Sequence, residues 1–400
     1  MPLSQPRYLS ALLSLPPTAL LGGADKSWRE TFPFSAPTGA WAFSGRVALA
    51  EGLRHLGLTP GATILVPAYF QGTEIDTLLR SGYRLKFYRV KETFEIDLDD
   101  AKSKLTPKTE ALYVIHYFGL PQPLTALTRF CAEHRLKLIE DCALALYSRD
   151  GQLPLGEQAD LAFFSVYKSV PLPHGGYVTL RQEATLRSLP PPPFVATMNQ
   201  TLDLIGEYLK AVSARVPFPR TRRMLSALRR PFGWQRGATI ESGGVVWDKR
   251  MMEYGASPLV QRLMGLASPQ AIVARRRGNF NLLHRYLRRY SPLPFDILPE
   301  GANPLFYPIV VADKAVAQQD LASQGIGSVN LWSHSHSACP KELTQEVAPW
   351  RRHILELPVH HLLDEGSIER IARVSAHYLD NRGAGKVAVR GGVPVMSPVT

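Results

Sequence analysis

The stretch LAFFSVYKSVPLPHGGYVTL, residues 161–180, places one lysine, Lys168, directly after a run of strand-forming apolar residues and just before a Pro-rich turn closed by Gly175 and Gly176. A lysine where a buried strand ends is either a snorkelling surface charge or a placed nucleophile. The rest of the chain has to decide between them.

Working outward from this stretch, strand-like and helix-like segments alternate from about residue 40. GRVALAEGLRHLGL has helical spacing of apolar residues at Val47, Leu49, Leu53 and Leu56, and ATILVPAY reads as a short strand. EIDTLLRSG reads as a helix ending at Gly82 and YRLKFYRV as a strand, and LDDAKSKL, LYVIHYFG, LTALTRFCAEHR, LKLIEDC and ADLAFFSV continue the pattern. Strands separated by such helices imply right-handed crossovers and a mainly parallel sheet covered on both faces. The fold class is therefore α/β, a large domain with a mainly parallel sheet. After Leu180 the pattern changes. SLPPPPFVA, residues 188–196, reads as a stiff linker, and the helix, strand and helix patterns from PQAIVARRRGNFNLLHRYLRRY onward indicate a smaller C-terminal α+β domain. Ser367 is the expected N-cap of the last helix. The expected division is an N-terminal arm (1–39), the large domain (40–187), a Pro-rich linker with a basic helical segment (188–255), the small domain (256–382) and a disordered tail (383–400).

Composition sets the outer limits. A chain of 400 residues with 45% apolar content can bury one large core and a smaller second one. No apolar run reaches the roughly 18 residues needed to span a bilayer. Three widely spaced cysteines without a CxxC pair indicate neither a disulfide framework nor a zinc site, and a cytoplasmic location is expected. His334, His336, His360 and His361 lack acidic or cysteine companions at usable spacing, so no metal site is expected. The 46 Lys+Arg against 34 Asp+Glu give a net charge of +12. Much of the excess lies in the basic segment 210–236, which is either a solvated helical face or a contact for an anionic partner, namely a phosphorylated substrate, an anionic membrane surface or nucleic acid, with the membrane surface kept as the candidate. Nucleic acid is not an expected partner.

In open parallel sheets, ligands gather outside the carboxyl ends of the strands. Asp141 follows LKLIE, and a carboxylate at a dry sheet rim needs a cationic partner unless it merely caps the next helix. Ser165 and Lys168 follow LAFF. An amine at an apolar strand end is a nucleophile toward an aldehyde and a proton carrier afterwards. Ser44, Gly45, Arg46 and Val47 stand at a helix start, where backbone N–H groups and the helix dipole favour a phosphate. Tyr69 and Phe70 follow TILV, where an aromatic face either stacks on a planar ring or packs in the core. Phosphate, aromatic face, ring nitrogen facing an aspartate and aldehyde facing a lysine together describe pyridoxal phosphate (PLP).

The ordered motifs SGRVAL, PGATILVPAYF, LTPKTEALYVIHYFGLPQPL, LIEDCALAL and ADLAFFSVYKSVPLPHGG resemble the DegT/DnrJ/StrS family of aminotransferases, of the aspartate aminotransferase fold, with SPLVQRLM, ARRRGNFNLL, PLFYPIVVAD and LELPVHHLL extending the likeness. The resemblance implies that Lys168 forms the Schiff base and acts as acid and base, that Asp141 partners the pyridine nitrogen, and that Ser165 and the backbone of Gly45 to Val47 bind phosphate. It makes His116 a candidate catalytic residue near the site. It also implies a homodimer, a small-molecule amino donor with glutamate expected, pyridoxamine phosphate as the intermediate form, and a nucleotide-linked keto sugar as acceptor. Departures mark a divergent branch. Arg46 and Val47 stand where the family has hydroxyl residues, SVYK is compact, Leu144 replaces the Gln or His that lies over the ring, and Gln71 replaces an aromatic, so that Tyr69 or Phe70 would have to substitute. The alternatives are a PLP-dependent dehydration or condensation, or a non-catalytic regulatory descendant. The retained lysine argues against the family's sugar dehydratase variants, which carry histidine there.

Overall fold

The seven strands of the main sheet are β1 (Gly39–Ala42), β2 (Thr63–Pro67), β3 (Arg84–Tyr88), β4 (Thr109–Ile115), β5 (Lys137–Asp141), β6 (Leu161–Phe164) and β7 (Gly176–Leu180). The computed structural model describes residues 8–212, 249–383, 387–390 and 393–396. The sheet order is β1-β7-β6-β5-β4-β2-β3. β6, β5, β4, β2 and β3 pair in parallel, and only β7 runs against its neighbours β1 and β6. The helices Gly45–Leu53, Thr73–Arg80, Leu98–Ser103 and Leu124–His134 make the crossovers that parallel pairing demands. Every residue of β2, β6 and β7 is buried, as a sheet covered on both faces requires.

The sheet separates two apolar layers. One contains Val47, Tyr69, Ile115 and Phe163 together with Phe280 and Tyr307 of the C-terminal part. The other contains Leu65, Val114, Leu138 and Leu127 together with Leu15 and Trp28 of the N-terminal arm. The arm is thus built into the core, and Leu9 also bridges to Ile326.

The Pro-rich stretch gives way to a helix at Phe194, which runs to Val212. The basic segment 210–236 lies, from residue 213 on, outside the described residues. The C-terminal part holds the helix Pro269–Leu287 and the antiparallel pair β8 (Phe306–Val310) and β9 (Ile354–Pro358). The last long helix, Glu365–Tyr378, begins earlier than the sequence reading had it. Asp364, not Ser367, is its N-cap, and the Asp364 carboxylate accepts the Ser367 N–H at 2.8 Å. Of the C-terminal tail, the described residues Val387–Arg390 pair antiparallel with Val393–Met396. Among the described residues no helix is long and apolar enough to cross a membrane.

Candidate active site

β5 and β6 are adjacent and parallel, with Asp141 in register with Phe163, so Asp141 and the turn after Phe164 emerge side by side. On the next strand Ile115 is in register with Asp141, and Tyr113 shares its face. The Tyr113 hydroxyl donates to Asp141 Oδ2 at 2.6 Å, and the Ala143 N–H donates to Oδ1 at 2.9 Å. Burial and the neighbouring Glu74 carboxylate push the Asp141 carboxyl up to about 6, against the opposing pull of these two hydrogen bonds and of the Lys168 charge. The two hydrogen bonds hold the carboxylate in place, and among the described residues no cation is bonded to it. A protonated ring nitrogen is a group of the required kind.

Lys168 closes a one-turn helix, Val166–Lys168, whose hydrogen bonds run from Lys168 N to Ser165 O at 3.0 Å and from Ser169 N to Val166 O at 2.9 Å. Its side chain is half-buried, and its charge is felt at Asp141. The turn that follows doubles back through Gly175, whose φ of 136° suits glycine alone, and Gly175 N donates to Phe43 O at 2.8 Å. His174 in the same turn accepts the Ser257 N–H at Nε2, so its Nδ1–H donates to Gln200 Oε1. Burial lowers its pKa to about 4, which keeps it neutral and fixes that arrangement.

The third element is the start of the helix Gly45–Leu53. Ser44 is its N-cap. A Cβ on Gly45 would stand 2.3 Å from Ser165 Oγ, and a Cβ on Gly176 would stand 2.2 Å from the Ser44 carbonyl. Only glycines at both positions let the β6 turn bring the Ser165 hydroxyl against the amides of the helix start. The Ser165 hydroxyl thus stands at a helix N-terminus, where Ser44 Oγ accepts the Val47 N–H at 3.5 Å, and a hydroxyl at a helix start has the donors that an anion needs. The Arg46 side chain is mostly buried beside Tyr167 and Glu74, and burial lowers its pKa. Val47 points into the core. Asp141, Lys168, Ser165, Ser44 and Gly45 thus converge, and a group with a phosphate at one end and a ring nitrogen at the other fits their donor and acceptor set.

Three expectations come out differently. His116 is one residue past Ile115 and therefore turns to the opposite face. Its Nε2–H donates to Glu140 Oε2 at 2.9 Å and its Nδ1 accepts the Gln122 N–H at 3.0 Å. Wholly buried and with both ring nitrogens engaged, His116 braces the sheet and has no nitrogen to offer a reaction. Tyr69 and Phe70 are also wholly buried. The Tyr69 ring lies edge-on to Trp332 and Trp350, at centroid distances of 4.8 and 5.2 Å, and Arg351 donates to the carbonyls of Ala68, Phe70, Trp332 and His334. Both rings are core of the seam with the C-terminal part, so neither is available to stack on a ligand. Leu144 is buried in the layer that holds Tyr113, Ile115 and Phe163, which gives the site an apolar wall at this position.

Two contributors went unread in the sequence. Tyr113 fixes Asp141, and strand alternation alone puts it on that face. Glu74, at the start of the helix Thr73–Arg80, accepts from Gln71 N at 2.8 Å and Gly72 N at 3.2 Å and brings a second buried carboxylate close to Asp141. On the opposite face, His116, Glu140 and Cys142 have ligand atoms within 4.8 Å of one another. His116 and Glu140 are hydrogen-bonded to each other, and burial pushes the Cys142 thiol well up, so that it keeps its proton.

Residues 39–205 match the model of the DegT/DnrJ/EryC1/StrS aminotransferase family. GDP-perosamine synthase of Vibrio cholerae is 30% identical over 138 residues, which are 34% of this chain and 38% of that protein. UDP-N-acetyl-3-dehydro-alpha-D-glucosamine 3-aminotransferase of Acidithiobacillus ferrooxidans is 28% identical over 208 residues, 49% of this chain and 56% of that protein. The chain therefore spans less than two thirds of either curated relative. In fold it is similar to the Streptococcus pneumoniae protein Spr1654 in its PLP form, with a TM-score of 0.61 at 17% identity over 93% of each chain.

Proposed function

We propose, on the premise that residues 39–205 belong to the DegT/DnrJ/EryC1/StrS aminotransferase family, that this protein is a PLP-dependent aminotransferase that moves an amino group from an amino acid, with glutamate the expected donor, to a nucleotide-linked keto sugar. The observation that carries the reading is the convergence of Asp141, Lys168 and the Gly45–Ser165 cradle at one end of the sheet. When bound, PLP supplies an electron-poor ring that stabilises negative charge on the substrate carbon.

The chain's own residues have the remaining tasks. The Asp141 carboxylate, oriented by Tyr113 and Ala143, keeps the ring nitrogen protonated. Ser165 and the amides following Ser44 hold the phosphate. Lys168 carries the amine that joins the cofactor and moves the proton at the substrate's Cα. Leu144, buried in the layer of Tyr113 and Phe163, gives one side of the site an apolar wall. The acceptor class rests on the GDP-linked and UDP-linked sugars in the names of the relatives, and a homodimer on the family's usual assembly.

The test is the visible absorption spectrum of the protein with added PLP, beside Lys168→Ala, before and after glutamate. A band that needs Lys168 and is bleached by glutamate is the expected result. A spectrum identical in the two proteins would end the cofactor reading. A lysine-dependent band indifferent to glutamate would overturn the donor.

A further inference from the structure

Arg276 lies in the helix Pro269–Leu287, and its side chain is 1% exposed. Its Nη1 donates to the carbonyls of Pro304 at 3.3 Å and Leu305 at 3.2 Å, and its Nη2 donates to the carbonyl of Ser169 at 3.2 Å. Among the described residues it has no ion pair, and its Nε–H is buried without an acceptor. The nearby His360 and His361 are kept neutral, chiefly by burial and further by the Arg276 charge. A buried guanidinium without a carboxylate is a costly way to fill space, because its charge is left to backbone dipoles alone. Three carbonyls from two separate segments are what its planar fork gathers, and a lysine ammonium cannot span them equally.

Ser169 follows Lys168 directly. The one-turn helix bearing Lys168 is tied at its front by the carbonyls of Ser165 and Val166, and Arg276 ties it at its rear, linking it to the strand lead-in at Pro304 and Leu305. We propose that Arg276 is a positioning residue for Lys168: by holding the Ser169 carbonyl it fixes the direction in which the lysine leaves the turn. This rests on the reading of Lys168 as the cofactor lysine.

Arg277, the next residue, provides an internal control. Its Nη1 donates to Pro299 O at 2.9 Å and Ala302 O at 2.6 Å, stapling the same helix to the same stretch of chain without touching the Lys168 turn.

The experiment compares full-length wild type, Arg276→Lys, Arg276→Met and Arg277→Gln, with Lys168→Ala as the blank. Three quantities are followed: melting temperature, the rate at which the lysine-dependent band appears after mixing with PLP, and the fraction of Lys168 fixed by borohydride at equal PLP occupancy. Both Arg276 variants are expected to form the band at least about tenfold more slowly, with a smaller fixed fraction, since a misplacement on the order of 1 Å costs up to about a hundredfold. Arg277→Gln is expected to keep the wild-type rate even where it lowers the melting temperature. If Arg276→Met does not fold, Arg276→Lys, which keeps charge and most of the volume, carries the test. Arg276 variants that match Arg277→Gln in rate would overturn the proposal. Absence of the band in the wild type would instead remove the premise about Lys168.

Discussion

Glu140 and Asp141 are consecutive carboxylates at the end of one strand, and they face opposite sides of the sheet. On one side, Glu140 Oε2 accepts from His116 Nε2–H at 2.9 Å and from Gly156 N–H at 2.8 Å, tying β5 to the turn after β4 and to the loop before β6. On the other side, Asp141 is oriented by one hydroxyl and one amide and sits beside a half-buried lysine and an anion cradle. The same functional group is thus structural on one face and available on the other. Burial does not separate the two, since both are buried. What separates them is the company each keeps: Glu140 is bonded at Oε2 by a histidine ring and a backbone amide, with its Oε1 unpartnered among the described residues, whereas Asp141 stands near a lysine charge and a helix start.

The largest effect is expected at Glu140. Glu140→Ala strips the acceptor from the His116 ring and the Gly156 amide, and a loss of about 3–5 kcal/mol is expected in chemical denaturation, with turnover per folded molecule unchanged. A drop in turnover without loss of stability would place Glu140 in the reaction and undo the contrast.

Asp141→Asn should do the reverse. Turnover is expected to fall about 10²–10³-fold, the usual cost of removing one preorganised electrostatic contact, while the cofactor-free protein does not lose stability. The pH dependence sharpens this. The folded value of about 6 lies above the ordinary aspartate value of 3.8, so Asp141's contribution to stability is fully present below about pH 4 and is lost as pH rises through 6. Relative to Asp141→Asn, the cofactor-free wild type should lose about 3 kcal/mol between pH 4 and 7, measured as the difference between the two denaturation curves at each pH. Added PLP should flatten that slope, because the ring nitrogen supplies the missing cation. Parallel curves for the two proteins would mean that Asp141 does not stand unpaired in the folded state.

The smallest effect belongs to the cradle. Gly45→Ala drives a Cβ into the Ser165 hydroxyl, and a roughly tenfold weaker PLP affinity, about 1.4 kcal/mol, is expected in titration, with the Lys168-dependent band still forming at saturation.

The sequence shows one side of this contrast better than the other. Asp141, Ser165 and Lys168 are legible because strands alternate with helices, and a residue just past a parallel strand stands at the ligand-bearing edge whatever surrounds it. His116 fulfils the same positional rule and fails, because the rule says nothing about which face a side chain takes. Counting the period of two from Ile115 would have turned it toward Glu140. Tyr69 and Phe70 lie beyond Pro67, where strand alternation no longer applies. Their environment is set by Trp332, Trp350 and Arg351, far along the chain. Arg276 is hidden among three consecutive arginines, although helical phase singles it out, since Ile272, Arg276, Asn279, Phe280 and Leu283 share one buried stripe. The sheet and the strand-end chemistry follow from local pattern, whereas the seam between the two halves depends on long-range packing.

Fixing bound PLP with borohydride and mapping the labelled peptide shows whether this face of the strand end holds a cofactor against Lys168 and Asp141. A single stoichiometric label on Lys168 is expected, within the peptide that spans Ser165 to Gly176, with much weaker labelling in Asp141→Asn at the same PLP concentration. Label spread over surface lysines, or the same yield in Lys168→Ala, would contradict it.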